Sequence, residues 1–190
     1  MLFWFMKIIS FIPFWLFCPA IIKNSKKIPK GKCVLVLNHK SNYDPLIILN
    51  MLWRNQHVLS KKELFEKPFS RAFFKGMKAI PVNREKVEIS TIKQCLEVLK
   101  NNEILTVFPE GTRNQTDEPL LEIKGGAGIF AAKTNAPIVP IWFVKKPKPF
   151  RINKLVVGEP FYITKDELSN GDEIIKQKLL ELRSEVINKK

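Results

Sequence analysis

Gly31-Lys32-Cys33-Val34-Leu35-Val36-Leu37-Asn38-His39-Lys40-Ser41-Asn42-Tyr43-Asp44-Pro45 carries an unbroken apolar run into a polar turn. The run is short, holds two β-branched valines and follows a glycine turn signal, which predicts a buried strand over 33–37. Pro45 then opens Leu46-Ile47-Ile48-Leu49-Asn50-Met51-Leu52, a segment suited to a helix with proline at its first position and Asp44 as N-cap. His39 therefore falls in a turn between a strand end and a helix start, where a rigid scaffold can aim a reactive side chain.

The same alternation continues along the chain. Further strands are predicted near 57–60, 79–82, 104–108, 138–144 and 152–157. Between them, 87–100 keeps Ile92, Cys95, Leu96 and Leu99 on one helical face before Asn101-Asn102 ends it. Helices are also predicted over 126–134 and from about 166 to 188, the latter bent near Asn170-Gly171. Such an order implies the α/β class, with a single domain built on a mixed, largely parallel sheet flanked by helices. A chain of 190 residues is long enough for one such domain with a sizeable core.

Two turns carry candidate chemistry. An imidazole accepts a hydroxyl proton near neutral pH, and a carboxylate on its other nitrogen fixes the tautomer, so His39 and Asp44 make the histidine–aspartate part of a hydrolase triad without its serine. Taken singly, Asp44 is also a plain helix cap and a lone histidine at a strand end is commonly structural. The second turn follows Ile104-Leu105-Thr106-Val107-Phe108 and reads Pro109-Glu110-Gly111-Thr112-Arg113. Gly111 permits a tight backbone, and Arg113 offers a planar fork of donors for phosphate or carboxylate. Glu110 supplies an acceptor for hydroxyls or a partner for Arg113; a surface turn with an incidental ion pair is the plainer alternative.

Together, Asn38-His39-x-Ser41-x-x-Asp44 and Phe108-Pro109-Glu110-Gly111-Thr112-Arg113 resemble the first and third signature blocks of the glycerolipid acyltransferase family, nearest to its bacterial lysophosphatidate acyltransferases. Lys62-Glu63-Leu64 with Pro68, Gly76 and Ile80-Pro81-Val82-Asn83-Arg84 is similar to the second block, and Ala136-Pro137-Ile138-Val139-Pro140-Ile141 to the fourth. Lys40 and Asn114 depart from the usual residues, a neutral polar one and serine. The resemblance implies transfer of a fatty acyl group from a thioester to the free sn-2 hydroxyl of lysophosphatidate, giving phosphatidate. It implies that His39 is the general base and Asp44 its orienting partner, so that the substrate oxygen is the nucleophile. Ser41 raises a covalent alternative that the family pattern does not use. By the same resemblance Arg84 and Arg113 bind the glycerol phosphate, Glu110, Gly111 and Thr112 shape its seat, and Lys124 is a further phosphate contact. No cofactor is implied; acyl-CoA or acyl carrier protein is the co-substrate. Rival functions are an acyltransferase for another lysolipid or an amino-acid-derived lipid, and a non-catalytic basic lipid-binding protein.

From Met1 to Ile22 the only charge is Lys7. As one straight helix this segment would be on the order of 33 Å long, enough to cross a hydrocarbon core. Pro13 argues against a straight helix, and two short apolar helices dipping into one leaflet, with Trp4 and Trp15 near the headgroups, are the alternative that the sequence leaves open beside it. Lys23, Lys26, Lys27, Lys30 and Lys32 follow, a positive-inside cluster that puts the catalytic part on the cytoplasmic face of the cytoplasmic membrane. Residues 1–30 thus form a membrane-associated helical segment and 31–190 the catalytic domain.

With 32 Lys and Arg against 18 Asp and Glu, the formal charge of +14 suits an anionic phospholipid surface and an acidic acyl carrier. An A/T-rich genome produces a similar Lys, Ile and Asn excess. Nucleic acid is excluded as a partner by the want of any helix-turn-helix, zinc-finger or RNA-binding signature. Cys18, Cys33 and Cys95 lack paired spacing and read as reduced, buried thiols. His57 reads as structural, and two histidines give no metal-ligand cluster.

Overall fold

The computed structural model of the protein describes residues 2–83, 88–124 and 126–188. Helix α1 (Leu2–Phe17) leads into strand β1 (Ala20–Lys23) and then β2 (Cys33–Leu37), α2 (Asp44–Met51), β3 (Gln56–Lys61), α3 (Pro68–Gly76) and β4 (Ala79–Val82). There follow α4 (Ile89–Lys100), β5 (Ile104–Val107), α5 (Ala127–Thr134), β6 (Ile138–Phe143), β7 (Asn153–Val157) and α6 (Gly171–Asn188). The strands form one sheet in the order β1-β7-β6-β2-β5-β3-β4. Among the described strands only the β6–β7 pair is antiparallel. The α/β architecture with a mixed, largely parallel sheet agrees with the sequence pattern.

β2 lies at the centre because it is apolar at every position, as a strand covered on both faces must be. All five of its residues are buried, and alternation divides them between two cores. Val34 and Val36 pack with Val98, Leu99, Phe130, Ala131 and Leu179, under α4, α5 and α6. Cys33, Leu35 and Leu37 pack with Ile47, Ile48 and Cys18, under α2 and the end of α1. Its register is set on both sides, Val34 pairing with Leu105 of β5 and Ile138 of β6. Burial pushes the Cys33 and Cys95 thiols up to about 12, with Arg54 weakly opposing it at Cys33, so both are inert core residues.

The amino terminus departs from expectation. α1 runs through Pro13 without breaking; a proline removes one backbone hydrogen bond, and the flanking turns carry the helix past it. The apolar segment is not helical to Ile22, because residues 20–23 leave the helix and pair in parallel with β7. No described helix is long and apolar enough to cross a membrane. A single spanning helix over 1–22 is therefore not what this sequence forms. The apolar stretch serves two structures, a surface helix and a sheet-edge strand.

Gly158, just past β7, has no room for a side chain. A Cβ there would lie 2.9 Å from Pro140 Cγ and 3.2 Å from Leu182 Cδ2, and the Pro140 ring is held on β6. Gly158→Ala is expected to destabilise the fold by about 1–3 kcal/mol through overpacking. A urea midpoint equal to the parent's, at equal slope, would overturn that assignment.

Candidate active site

The turn after β2 is built around one buried carboxylate. Asp44 Oδ2 accepts the Lys40 and Ser41 backbone N–H groups, both at 2.7 Å, and lies 2.9 Å from His39 Nδ1. Asp44 is fully buried and His39 only 7% exposed. Asp44 thus does not cap α2 as the sequence suggests. Its side chain turns back onto the loop, and Tyr43 occupies the cap position without a side-chain hydrogen bond. With Nδ1–H donated to Asp44, the imidazole lone pair sits on Nε2, which has no hydrogen-bond partner among the described residues. The ring lies against Phe108, centroids 4.4 Å apart.

The second turn is tied to the first through the backbone of His39. Glu110 Oε1 accepts the His39 N–H at 2.6 Å, and Oε2 accepts the Leu121 N–H at 2.8 Å. The Asn114 N–H donates to the His39 carbonyl at 2.7 Å. Glu110 is therefore a brace inside the loops, and it forms no ion pair with Arg113. Asn114, read in the sequence only as a departure from serine, holds the loop as an Asx turn, its Oδ1 accepting from Thr116 N–H and hydroxyl. Asn38 clamps the other side, accepting the Phe143 N–H at 2.8 Å. The role of neither asparagine was legible: the Asn38 side chain acts on backbone 105 residues away, and the Asx turn of Asn114 matters only because its own N–H reaches the His39 carbonyl.

Ser41 is not placed as a nucleophile. Its hydroxyl accepts the Tyr43 N–H at 3.3 Å, and it does not line the cavity beside His39. That cavity measures about 740 Å³. Its polar rim carries His39, Gly111, Thr112, Arg113, Lys124 and Lys61, while Leu46, Leu49, Val58, Leu59, Phe74 and Met77 are among its apolar walls. Arg113 and Lys124 are exposed and make no ion pair among the described residues. Gly111 adopts φ 63°, a left-handed conformation that favours glycine, and the Lys124 stem passes 3.2 Å from where its Cβ would be. The Gly111 N–H is committed to the Phe108 carbonyl at 3.0 Å, whereas the Thr112 N–H has no partner among the described residues. Arg84 lies outside the described residues. Gly128, within α5, packs against Ile163 and Ile175, so this glycine serves helix packing.

His57 is structural in its setting, bonded to Glu103 at 2.6 Å with Lys78 on the same carboxylate. Burial lowers its pKa in spite of Glu103.

The site thus joins a carboxylate-oriented histidine, a cationic rim and an apolar cavity, a combination able to activate a hydroxyl beside a long-chain substrate. A family model described as Acyltransferase matches residues 20–144, from the start of β1 to just beyond β6. The 1-acyl-sn-glycerol-3-phosphate acyltransferase of Bacillus subtilis is 31% identical over 183 residues, 87% of this chain and 88% of that protein. The protein of the same name in Helicobacter pylori is 35% identical over 127 residues, 66% of this chain and 54% of its own length. The crystal structure of the 1-acyl-sn-glycerophosphate acyltransferase from Thermotoga maritima aligns with a TM-score of 0.69 at 26% identity, covering 95% of this chain and 78% of that one. With its two turns inside the matched span and its sheet shared with that structure, the chain belongs to the acyltransferase family.

Proposed function

We propose that this protein acylates the free sn-2 hydroxyl of lysophosphatidate from a fatty acyl thioester, yielding phosphatidate. The observation that carries this reading is the position of the His39 ring, oriented by Asp44 at 2.9 Å, on the wall where the apolar cavity meets its cationic rim. The names of the Bacillus, Helicobacter and Thermotoga relatives support the same acceptor.

In this mechanism Nε2 of His39 takes the proton of the acceptor hydroxyl as that oxygen attacks the thioester carbonyl. The carbonyl electron pair moves to oxygen, and the Thr112 N–H, which has no partner among the described residues, receives the oxyanion in this mechanism. Collapse re-forms the carbonyl and breaks the carbon–sulfur bond; the imidazolium returns its proton to the departing thiolate. Asp44 stabilises the imidazolium between these transfers and holds the tautomer that starts them. Arg113 and Lys124 bind the acceptor phosphate at the rim, with Arg84 as the third cation suggested by the sequence. The fatty chain lies in the apolar cavity, and acyl-CoA or acyl carrier protein delivers it.

The protein works at a membrane surface in this reading, on the cytoplasmic side. α1 is inside-out for a helix in water: Phe5, Ile8, Ile12 and Leu16 are each more than half exposed, while Lys7 is buried. Phe69, 87% exposed on α3, and Phe150, 80% exposed, extend the apolar surface. Such a helix lies in the interface with its apolar face among acyl chains, next to α2 and α3, which wall the cavity.

Three measurements test this. His39→Ala is expected to keep the fold and lower kcat for phosphatidate formation by about 10²- to 10⁴-fold; turnover near the parent's in folded protein would remove the base assignment. Arg113→Ala should raise the KM for lysophosphatidate with little change in kcat, and a lowered kcat at constant KM would assign it to the transition state instead. Replacing Phe5, Ile8, Ile12 and Leu16 together with serine should abolish cosedimentation with anionic vesicles, and undiminished binding would take α1 out of the membrane contact.

A further inference from the structure

A second cavity, about 220 Å³, is bounded by the two chain neighbours of His39, Asn38 and Lys40, and shares no lining residue with the larger one. Its walls come from the end of β6, the Lys145-Lys146 segment that follows, the last turns of α6 and the 117–119 loop. Four cations line it, Lys40, Lys145, Lys146 and Arg183, against the carboxylates of Asp117 and Glu118. None of the four forms an ion pair among the described residues. Lys40 Nζ is held by the Glu118 carbonyl at 2.9 Å, so this Glu118 contact is with backbone and neutralises nothing. The crowding is felt at Lys40: burial lowers its pKa, Arg183 and Lys146 lower it further, and Glu110 and Asp117 oppose them.

Four cations against two lining carboxylates leave a net positive concave site, which raises the energy of the empty protein and lowers that of an anion-bound one. An arginine fork beside lysine ammoniums matches a phosphate group. In the acyl transfer proposed above, the acceptor carries a single phosphate, and Arg113 and Lys124 on the larger cavity serve it. The remaining phosphate belongs to the other substrate. Both acyl-CoA and acyl carrier protein present their thioester on a phosphopantetheine arm. Lys40 is the neighbour of His39, its Cα about 3.8 Å away, and an extended pantetheine arm spans several times that distance. We infer that the cavity of Lys40, Lys145, Lys146 and Arg183 binds the phosphate of the acyl donor's phosphopantetheine arm, on the side of the His39 loop away from the acceptor phosphate. Lys40, which departs from the usual neutral residue, thereby acquires a role that the acceptor chemistry did not give it.

This inference rests on the thioester reading, and the test separates the two. The double variant Lys146→Gln/Arg183→Gln removes charge from partly or fully exposed side chains that hold no ion pair, and unfolding curves verify its fold. Binding of 4′-phosphopantetheine to the full-length protein is measured by calorimetry, and KM is measured for acyl-CoA, acyl carrier protein and the phosphate-free S-acyl pantetheine. Losing charge-assisted contacts should weaken phosphopantetheine binding at least about tenfold and raise KM for both phosphate-bearing donors by a similar factor. KM for S-acyl pantetheine and for lysophosphatidate should not change. Equal effects on the phosphate-free donor, a raised acceptor KM, or no binding of phosphopantetheine by the parent would each overturn the inference. An effect confined to acyl-CoA would give the cluster to the nucleotide phosphates, and one confined to the carrier protein would give it to that protein's acidic surface; both overturn the shared-arm assignment. Phosphopantetheine binding by a parent that transfers no acyl group would remove the proposed reaction and leave the phosphate site standing.

Discussion

Asp44 has no exposed surface, and a carboxylate withdrawn from water must recover its solvation from protein donors. Three converge on Oδ2: the His39 ring and the amides of Lys40 and Ser41. This requirement fixes the loop, because moving either amide away would strand a buried charge. The loop then fixes the neighbouring turn, since the His39 N–H donates to Glu110 and its carbonyl accepts from Asn114. His39 and Glu110, 71 residues apart in sequence, are thereby held together and their two turns joined. The orientation of the imidazole is thus a consequence of burying one carboxylate, which is the form of preorganisation a proton-transferring site needs.

The sheet supplies the place for these joined turns. β2 is flanked by β5 and β6, both parallel to it, so the turns after all three strands open at one edge. In open α/β sheets this carboxyl edge, where neighbouring connections diverge, is where crevices form. The large cavity lies toward β5 and β3, and the smaller one toward β6 and α6. His39 faces the first while its neighbours Asn38 and Lys40 face the second, so the strand end divides the two cavities. The first has an apolar wall, and each is lined by cations that form no ion pair among the described residues, Arg113 and Lys124 on one and Lys40, Lys145, Lys146 and Arg183 on the other.

Much of this was legible because parallel central strands are written as uninterrupted apolar runs. Cys33–Leu37 falls as the pattern predicts, 104–108 and 138–144 are a residue longer than β5 and β6, and the edge strand Ala79–Val82 also falls where its short apolar run predicts it. The bend ahead of α6 also appears where Asn170-Gly171 suggests it, after a short 3₁₀ turn over Leu168–Asn170. β1 was hidden because Ala20-Ile21-Ile22 continues an apolar stretch that α1 had begun, and composition alone does not mark where helix gives way to strand. α3 was missed because Pro68-Phe69-Ser70-Arg71-Ala72-Phe73-Phe74 mixes aromatic and charged residues over barely two turns. The histidine, aspartate and arginine were visible as a motif. The cavity was not, since its walls are drawn from positions between Leu46 and Val107 that no local pattern unites.

The inverted amphipathicity of α1 links the membrane contact proposed for it to the catalytic turn. A helix that exposes Phe5, Ile8, Ile12 and Leu16 gains hydrophobic stabilisation only when an apolar phase covers them. Its one cation points inward, where the rings of Phe3, Trp4 and Trp53 surround the Lys7 ammonium at 5.4–5.6 Å and the Leu52 carbonyl accepts from it. Burial lowers the pKa of Lys7 to about 8, the mark of an ammonium held by carbonyl and ring faces instead of water. Leu52 directly follows α2, a helix of eight residues and therefore about 12 Å long. The opposite end of α2 is Asp44. One short element thus runs from the Lys7 contact of α1 to the carboxylate that orients His39, so that the membrane contact proposed for α1 would set the height of the imidazole above the lipid surface.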